Sequence, residues 1–137
     1  MIWLGEIMLA TGWSSDRSGE RRWHAAVPRL VAGAALAALA FQSTGVVMAM
    51  LLFSIAFAGI VAAYPPLWAI PGTFLSASAA AAGIGLINSI GNLGGFAGPY
   101  LIGFFSDRNG TYLGGLWVMV GALAFSGACA LLVRKRV

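Results

Sequence analysis

Charge is what this sequence has least of. Only 9% of its residues are Asp, Glu, Lys or Arg, where a soluble globular domain carries about 25%. The shortage is also concentrated: residues 30 to 106 form a run of 77 positions without one Asp, Glu, Lys, Arg or His. A second uncharged run of 25 covers residues 109 to 133. Water-exposed surface cannot be built from such stretches, so a soluble fold is excluded. One cysteine, Cys129, and one histidine, His24, allow no internal disulfide and offer no metal-ligand spacing. Cys129 lies in an apolar stretch and reads as a packing residue. No nucleophile–base pair and no carboxylate pair is visible, so the sequence reads as a non-enzyme with no metal and no cofactor.

What is present is apolar surface, 60% of the 137 residues. A hydrocarbon core of roughly 30 Å takes about 20 apolar residues per helix. The long uncharged run therefore holds about three spans and the shorter one a fourth. The fold class is all-α, a polytopic membrane helix bundle in contact with lipid. The net charge of +4 sits in two short clusters beside apolar spans. That arrangement serves membrane orientation and argues against nucleic acid as a partner.

Along the chain, residues 1–13 are apolar but too few to cross a bilayer. They lack the basic start and small-residue cleavage site of a signal peptide. They read as a partial span, and the chain as a fragment of a larger protein or a truncated product. A polar loop is expected over 14–28, then spans over about 24–42, 46–70, 78–105 and 112–133, and a basic tail at 134–137. Gln42-Ser43-Thr44-Gly45, the segment after Pro71, and Ser106 to Tyr112 are the expected connections. Arg17, Arg21, Arg22, Arg29, Arg134, Lys135 and Arg136 fall on one side by loop parity, and Arg108 alone on the other. The positive-inside rule puts the 14–28 loop and the C-terminus in the cytoplasm.

Three local patterns stand out. The first is Gly12-Trp-Ser-Ser-Asp16-Arg17-Ser-Gly19-Glu-Arg21-Arg22. Gly19 permits a tight turn, Asp16 can accept from backbone N–H groups at a helix N-terminus, and the arginines can hold the loop at the membrane face. A weaker echo, Gly103-Phe-Phe-Ser-Asp107-Arg108-Asn-Gly110, lacks the trailing basic pair and reads as a simple turn. The second is the glycine-rich span from Ser78. At 100° per residue, Gly85, Gly91, Asn92, Gly95, Pro99 and Gly103 fall within about 60° of Asn88, with Leu86, Ile90, Leu93, Leu101 and Phe104 opposite. Amides in a membrane helix need a partner or a watery cavity. Asn88 and Asn92 are candidate cavity residues, with interhelical hydrogen bonding as the alternative. Gly91, Gly94, Gly95 and Gly98, with Pro99, read as helix-packing positions. The third is Tyr64-Pro65-Pro66-Leu67-Trp68-Ala69-Ile70-Pro71, where paired prolines interrupt a helix beside protein or a cavity. Tyr64 joins the cavity candidates, and Trp68 belongs either to that cavity or to an interfacial aromatic belt. Glu6 is the one acid placed near membrane depth.

The first pattern resembles the cytoplasmic loop signature of the major facilitator superfamily at all six signature positions. Together with Pro65-Pro-Leu-Trp-Ala-Ile-Pro71 and Gly85-Leu-Ile-Asn-Ser-Ile-Gly-Asn-Leu-Gly-Gly-Phe-Ala-Gly-Pro99 it resembles the anion–cation symporter family, whose members include tartrate, glucarate, galactonate and phthalate permeases. The resemblance implies the C-terminal portion of a bacterial inner-membrane transporter, from the end of the eighth span through the twelfth. It implies alternating-access transport of small organic anions, sugar acids or dicarboxylates, coupled to protons. It places Trp68 and Asn88 at substrate-binding positions. The N-terminal half, which in that family holds the membrane carboxylates and the main anion-pairing basic residue, is the implied partner. The rival readings are a facilitator carrier of another substrate class, a small non-transporting membrane subunit, and a decayed gene fragment.

Overall fold

The structure is a computed structural model that describes residues 2–41, 45–73 and 75–133. Six α-helices follow one another: α1 (Ile2–Ser18), α2 (Arg21–Phe41), α3 (Val46–Ala62), α4 (Tyr64–Ala69), α5 (Ala77–Asn109) and α6 (Leu113–Leu132), with a 3-10 turn at Pro71–Thr73. The described residues contain no strand, so the all-α expectation holds. The expected turn residues Gln42, Ser43 and Thr44 and the tail 134–137 lie outside the described residues.

The centre of the bundle is α2, and small residues put it there. Its buried face carries Ala25, Ala26, Arg29, Ala32, Gly33, Ala35 and Leu36. In lipid, such faces bring helices together because small side chains let backbones approach and gain dispersion contact. The closest crossing is with α3: a methyl group added at Gly59 would stand 2.5 Å from the Pro28 carbonyl oxygen and 3.1 Å from Ala32 Cβ. On the opposite flank, Gly127 of α6 lies against Leu30 and Gly33 faces Leu123. Two apolar clusters result, one joining Ala25, Ala26, Ile70 and Ala130, the other Ala32, Ala35, Leu36 and Ala56.

The paired prolines restart a helix. Ala63 alone separates α3 from α4, and Pro65 and Pro66 fall in the first turn of α4, where an N–H would have no acceptor within the helix. Ser76 then caps α5, its Oγ accepting from the Ala79 N–H at 3.4 Å. Helix α5 has 33 residues, about 50 Å long. It packs at its ends: Leu75 beside Gly83, and Ile102 and Phe105 against Gly115 and Gly114 of α6. Between them, residues 85 to 97 are exposed on every face.

Two expected loops are corrected. The region 14–28 is helical except for Gly19 and Glu20, because α1 continues through the signature to Ser18 and α2 begins at Arg21. Gly19 opens this two-residue turn at φ 63°, a conformation that ends helices at little cost only for glycine. The Ser106–Tyr112 turn is likewise shorter: α5 runs to Asn109 and is capped by Gly110 at φ 64°, whose N–H donates to the Ser106 carbonyl. Three segments are long and apolar enough to cross a membrane: Arg21–Phe41, Val46–Thr73 and Leu113–Leu132. Helix α5 is not among them, since Asn88, Asn92 and the interspersed glycines dilute its hydropathy.

Candidate functional site

The signature residues sit where the ends of α1, α4 and α6 meet the start of α2. Gly12 is a contact residue: a Cβ there would lie 3.3 Å from Pro65 Cβ, so α1 crosses α4 closely at the proline pair. Asp16 does not cap a helix N-terminus, as expected from sequence. It lies in the last turn of α1 and accepts from Arg21 Nη2 at 3.2 Å, because the two-residue turn at Gly19 and Glu20 folds Arg21 back over it. The other guanidinium nitrogen of Arg21 donates to the Ala69 carbonyl at 2.8 Å. Arg22 Nη1 donates to the carbonyls of Leu131 at 3.4 Å and Val133 at 3.2 Å. The adjacent arginines thus cap the C-termini of α4 and α6. Those ends carry unsatisfied carbonyls and the negative pole of the helix dipole. Arg17 does something else: its guanidinium lies over the Trp13 ring at 5.2 Å. His24 ties α1 to α2, with Nε2 3.0 Å from Ser14 Oγ and Nδ1 2.7 Å from the Glu20 carbonyl. Since a carbonyl only accepts, Nδ1 carries the proton.

The cavity candidates are dispersed. Trp68 is half-buried and Tyr64 exposed on α4, while Asn88 and Asn92 are exposed on α5. No hydrogen bond among the described residues joins the two helices. Asn88 stands about 16 Å into α5 from Ala77, whereas Trp68 lies about 1.5 Å from the end of α4. Gly91, Gly94, Gly95 and Gly98 meet no atom within 4 Å of an added Cβ, and Pro99 is exposed. Among the described residues nothing packs against these glycines. The close-packing glycines are Gly59, Gly114, Gly115 and Gly127, of which only a crossing geometry could tell.

Sequence reading also passed over Arg29. It is 7% exposed on the inner face of α2, about 12 Å along the helix from Arg21, between the two apolar clusters. Its Nη1 donates to the Ala25 carbonyl at 2.6 Å, and no acidic side chain among the described residues pairs with it. A charge at that position in a membrane helix is costly and marks function or a buried partner. The signal was available as an arginine on the small-residue face of α2, and it was spent on counting topology.

Over 121 residues the chain is 47% identical to a protein of Agrobacterium vitis provisionally named a tartrate transporter, covering 88% of this chain and 27% of that one. It is 42% identical over 119 residues to a protein of Pseudomonas putida provisionally named metabolite transport protein NicT, covering 87% and 27%. It is 33% identical over 112 residues to a quinolone resistance transporter of Acinetobacter baumannii, covering 82% and 26%. The chain thus spans about a quarter of the length of the curated relatives it matches. No family model and no solved structure matches it. In its three membrane-length apolar helices and in this identity, the chain resembles a quarter-length segment of anion and metabolite permeases of the major facilitator superfamily.

Proposed function

We propose that this chain is the C-terminal portion of a proton-coupled transporter of small organic anions, tartrate-like dicarboxylates or sugar acids, with the 14–28 segment and the C-terminus cytoplasmic. The observation that carries the reading is the 47% identity over 121 residues to a provisional tartrate transporter. Two structural facts support it. Arg29 leaves a positive charge inside the bundle without an acidic partner among the described residues, which favours anionic cargo. Asn88 stands mid-helix on α5, exposed, where the remainder of a transporter would enclose it. In that enclosure Asn88 donates to a substrate carboxylate or hydroxyl, Trp68 supplies an indole N–H and a flat apolar wall, and Tyr64 a hydroxyl. The uncovered glycine face of α5, Gly91 to Pro99, packs against the N-terminal half. The carboxylates that couple protons belong to that half, since the acids described here stand at helix ends or, like Glu6, on an exposed face.

Tartrate uptake by the transporter carrying this segment tests the assignment. Asn88→Ala weakens apparent affinity by about 0.5–1.5 kcal/mol, roughly two- to tenfold, with unchanged protein level. Asn92→Ala does less. An Asn88→Ala variant that loses thermal stability but keeps affinity would make the amide a packing residue. The second reading is a carrier of another substrate class, favoured by the 33% identity to a quinolone resistance transporter. Export of a fluoroquinolone, with no transport of tartrate, decides for it.

A further inference from the structure

The seam between α1 and α2 contains a groove of about 260 Å³, lined by Thr11, Trp23, His24, Val27 and Pro28. Its two ends differ. Helix α1 descends to its C-terminus at Ser18 and α2 rises from Arg21, so Ser14 and His24 lie near the turn, while Thr11, Val27 and Pro28 lie deeper along both helices. Thr11 offers no free donor to the groove, since its hydroxyl bonds the Ile7 carbonyl at 2.8 Å. The groove is therefore polar at the turn and apolar beyond it. About one turn past Ser14 stands Arg17, exposed and stacked on Trp13. It is the arginine at this end with no hydrogen bond or ion pair among the described residues. Asp16 is taken by Arg21, Glu20 is engaged as well, and Arg22 caps α6. Trp23 lines the groove with 53% of its surface exposed, and Trp13, under Arg17, is 65% exposed, as aromatic side chains are at the level of lipid headgroups.

We propose that this seam binds one anionic phospholipid, its phosphate at Arg17 and the Ser14–His24 pair, and the first part of an acyl chain along Thr11, Val27 and Pro28. Charge complementarity selects the ligand. An unpaired guanidinium beside an apolar groove, at the polar edge of a membrane helix pair, is matched by a phosphate joined to hydrocarbon. Zwitterionic lipid presents its phosphate beside a cationic headgroup and gains less.

Native mass spectrometry of the delipidated chain, titrated separately with phosphatidylglycerol and phosphatidylcholine, tests this. The wild type is expected to retain phosphatidylglycerol at least about fivefold better, the size expected of one basic residue at the membrane surface. R17Q brings the ratio close to one, and R17K keeps it, which separates charge from folding. V27W, filling the groove, lowers retention of both lipids. R108Q removes an exposed arginine that lies over Phe104 at 4.5 Å on the far end, and leaves the preference unchanged. Equal retention of the two lipids by the wild type, or an equal loss in R108Q and R17Q, would overturn the proposal.

Discussion

Two turns of this chain are written in nearly the same residues. Gly12, Ser15, Asp16, Arg17 and Gly19 correspond to Gly103, Ser106, Asp107, Arg108 and Gly110 at a constant offset of 91. The local structure repeats too. Each glycine ends its helix in the left-handed region, at φ 63° and 64°. Each arginine lies over the aromatic ring one turn before it, Trp13 at 5.2 Å and Phe104 at 4.5 Å. The consequences diverge two residues later. Arg21 and Arg22 reach three other helix ends or turns, whereas Tyr112 and Leu113 simply start α6. A helix stop is thus encoded within eight residues, and a helix clamp requires two arginines beyond them, placed where carbonyl ends of other helices arrive.

Breaking the clamp should give the largest effect. R21Q combined with R22Q removes the donors to Ala69, Leu131 and Val133. It is expected to cost about 2–3 kcal/mol, given that hydrogen bonds from charged groups are worth more than neutral ones. The loss shows as a lowered unfolding midpoint in detergent, while R108Q leaves the midpoint in place. An equal shift in both would erase the difference between the turns.

The shared part of the pattern should respond equally at both sites. Gly19→Ala and Gly110→Ala each force a Cβ into a left-handed conformation, costing about 1–2 kcal/mol. Similar midpoint shifts for the two variants are the expected result, and a shift at only one would deny that the turns are equivalent.

The smallest effect is expected at the ion pair. Asp16→Asn breaks a contact whose side chains are 31% and 69% exposed, so about 0.2–1 kcal/mol is lost and the loss shrinks as salt is added. Asp107→Asn, with no ion-pair partner among the described residues, should change nothing measurable. Any role of Asp16 in transport beyond that small term would appear as reduced uptake at an unchanged midpoint.

Composition alone pointed to a membrane helix bundle, and the uncharged runs hold α3, α4 and α6 entirely, because burial in hydrocarbon constrains every position of a span. The glycine stops were legible for the same reason: a positive φ depends on one residue. Legibility failed where contacts came from different helices. The run from Ser14 to Pro28 looked like a loop because it is polar, yet polarity at a membrane surface is compatible with helix. Asp16 seemed fit for a helix N-terminus, and the fold gave it a partner five residues on. No sign in the sequence marked Gly59, Gly115 and Gly127, which make the close crossings among the described residues, since only the helix axes decide which small residue is opposite a backbone. Class and the glycine turns are local or compositional properties, and the sequence by itself determined them. The burial of Arg29, the capping of α4 and α6 by Arg21 and Arg22, and the groove between α1 and α2 join residues up to 111 apart. Those depend on how helices cross, and only the tertiary structure decided them.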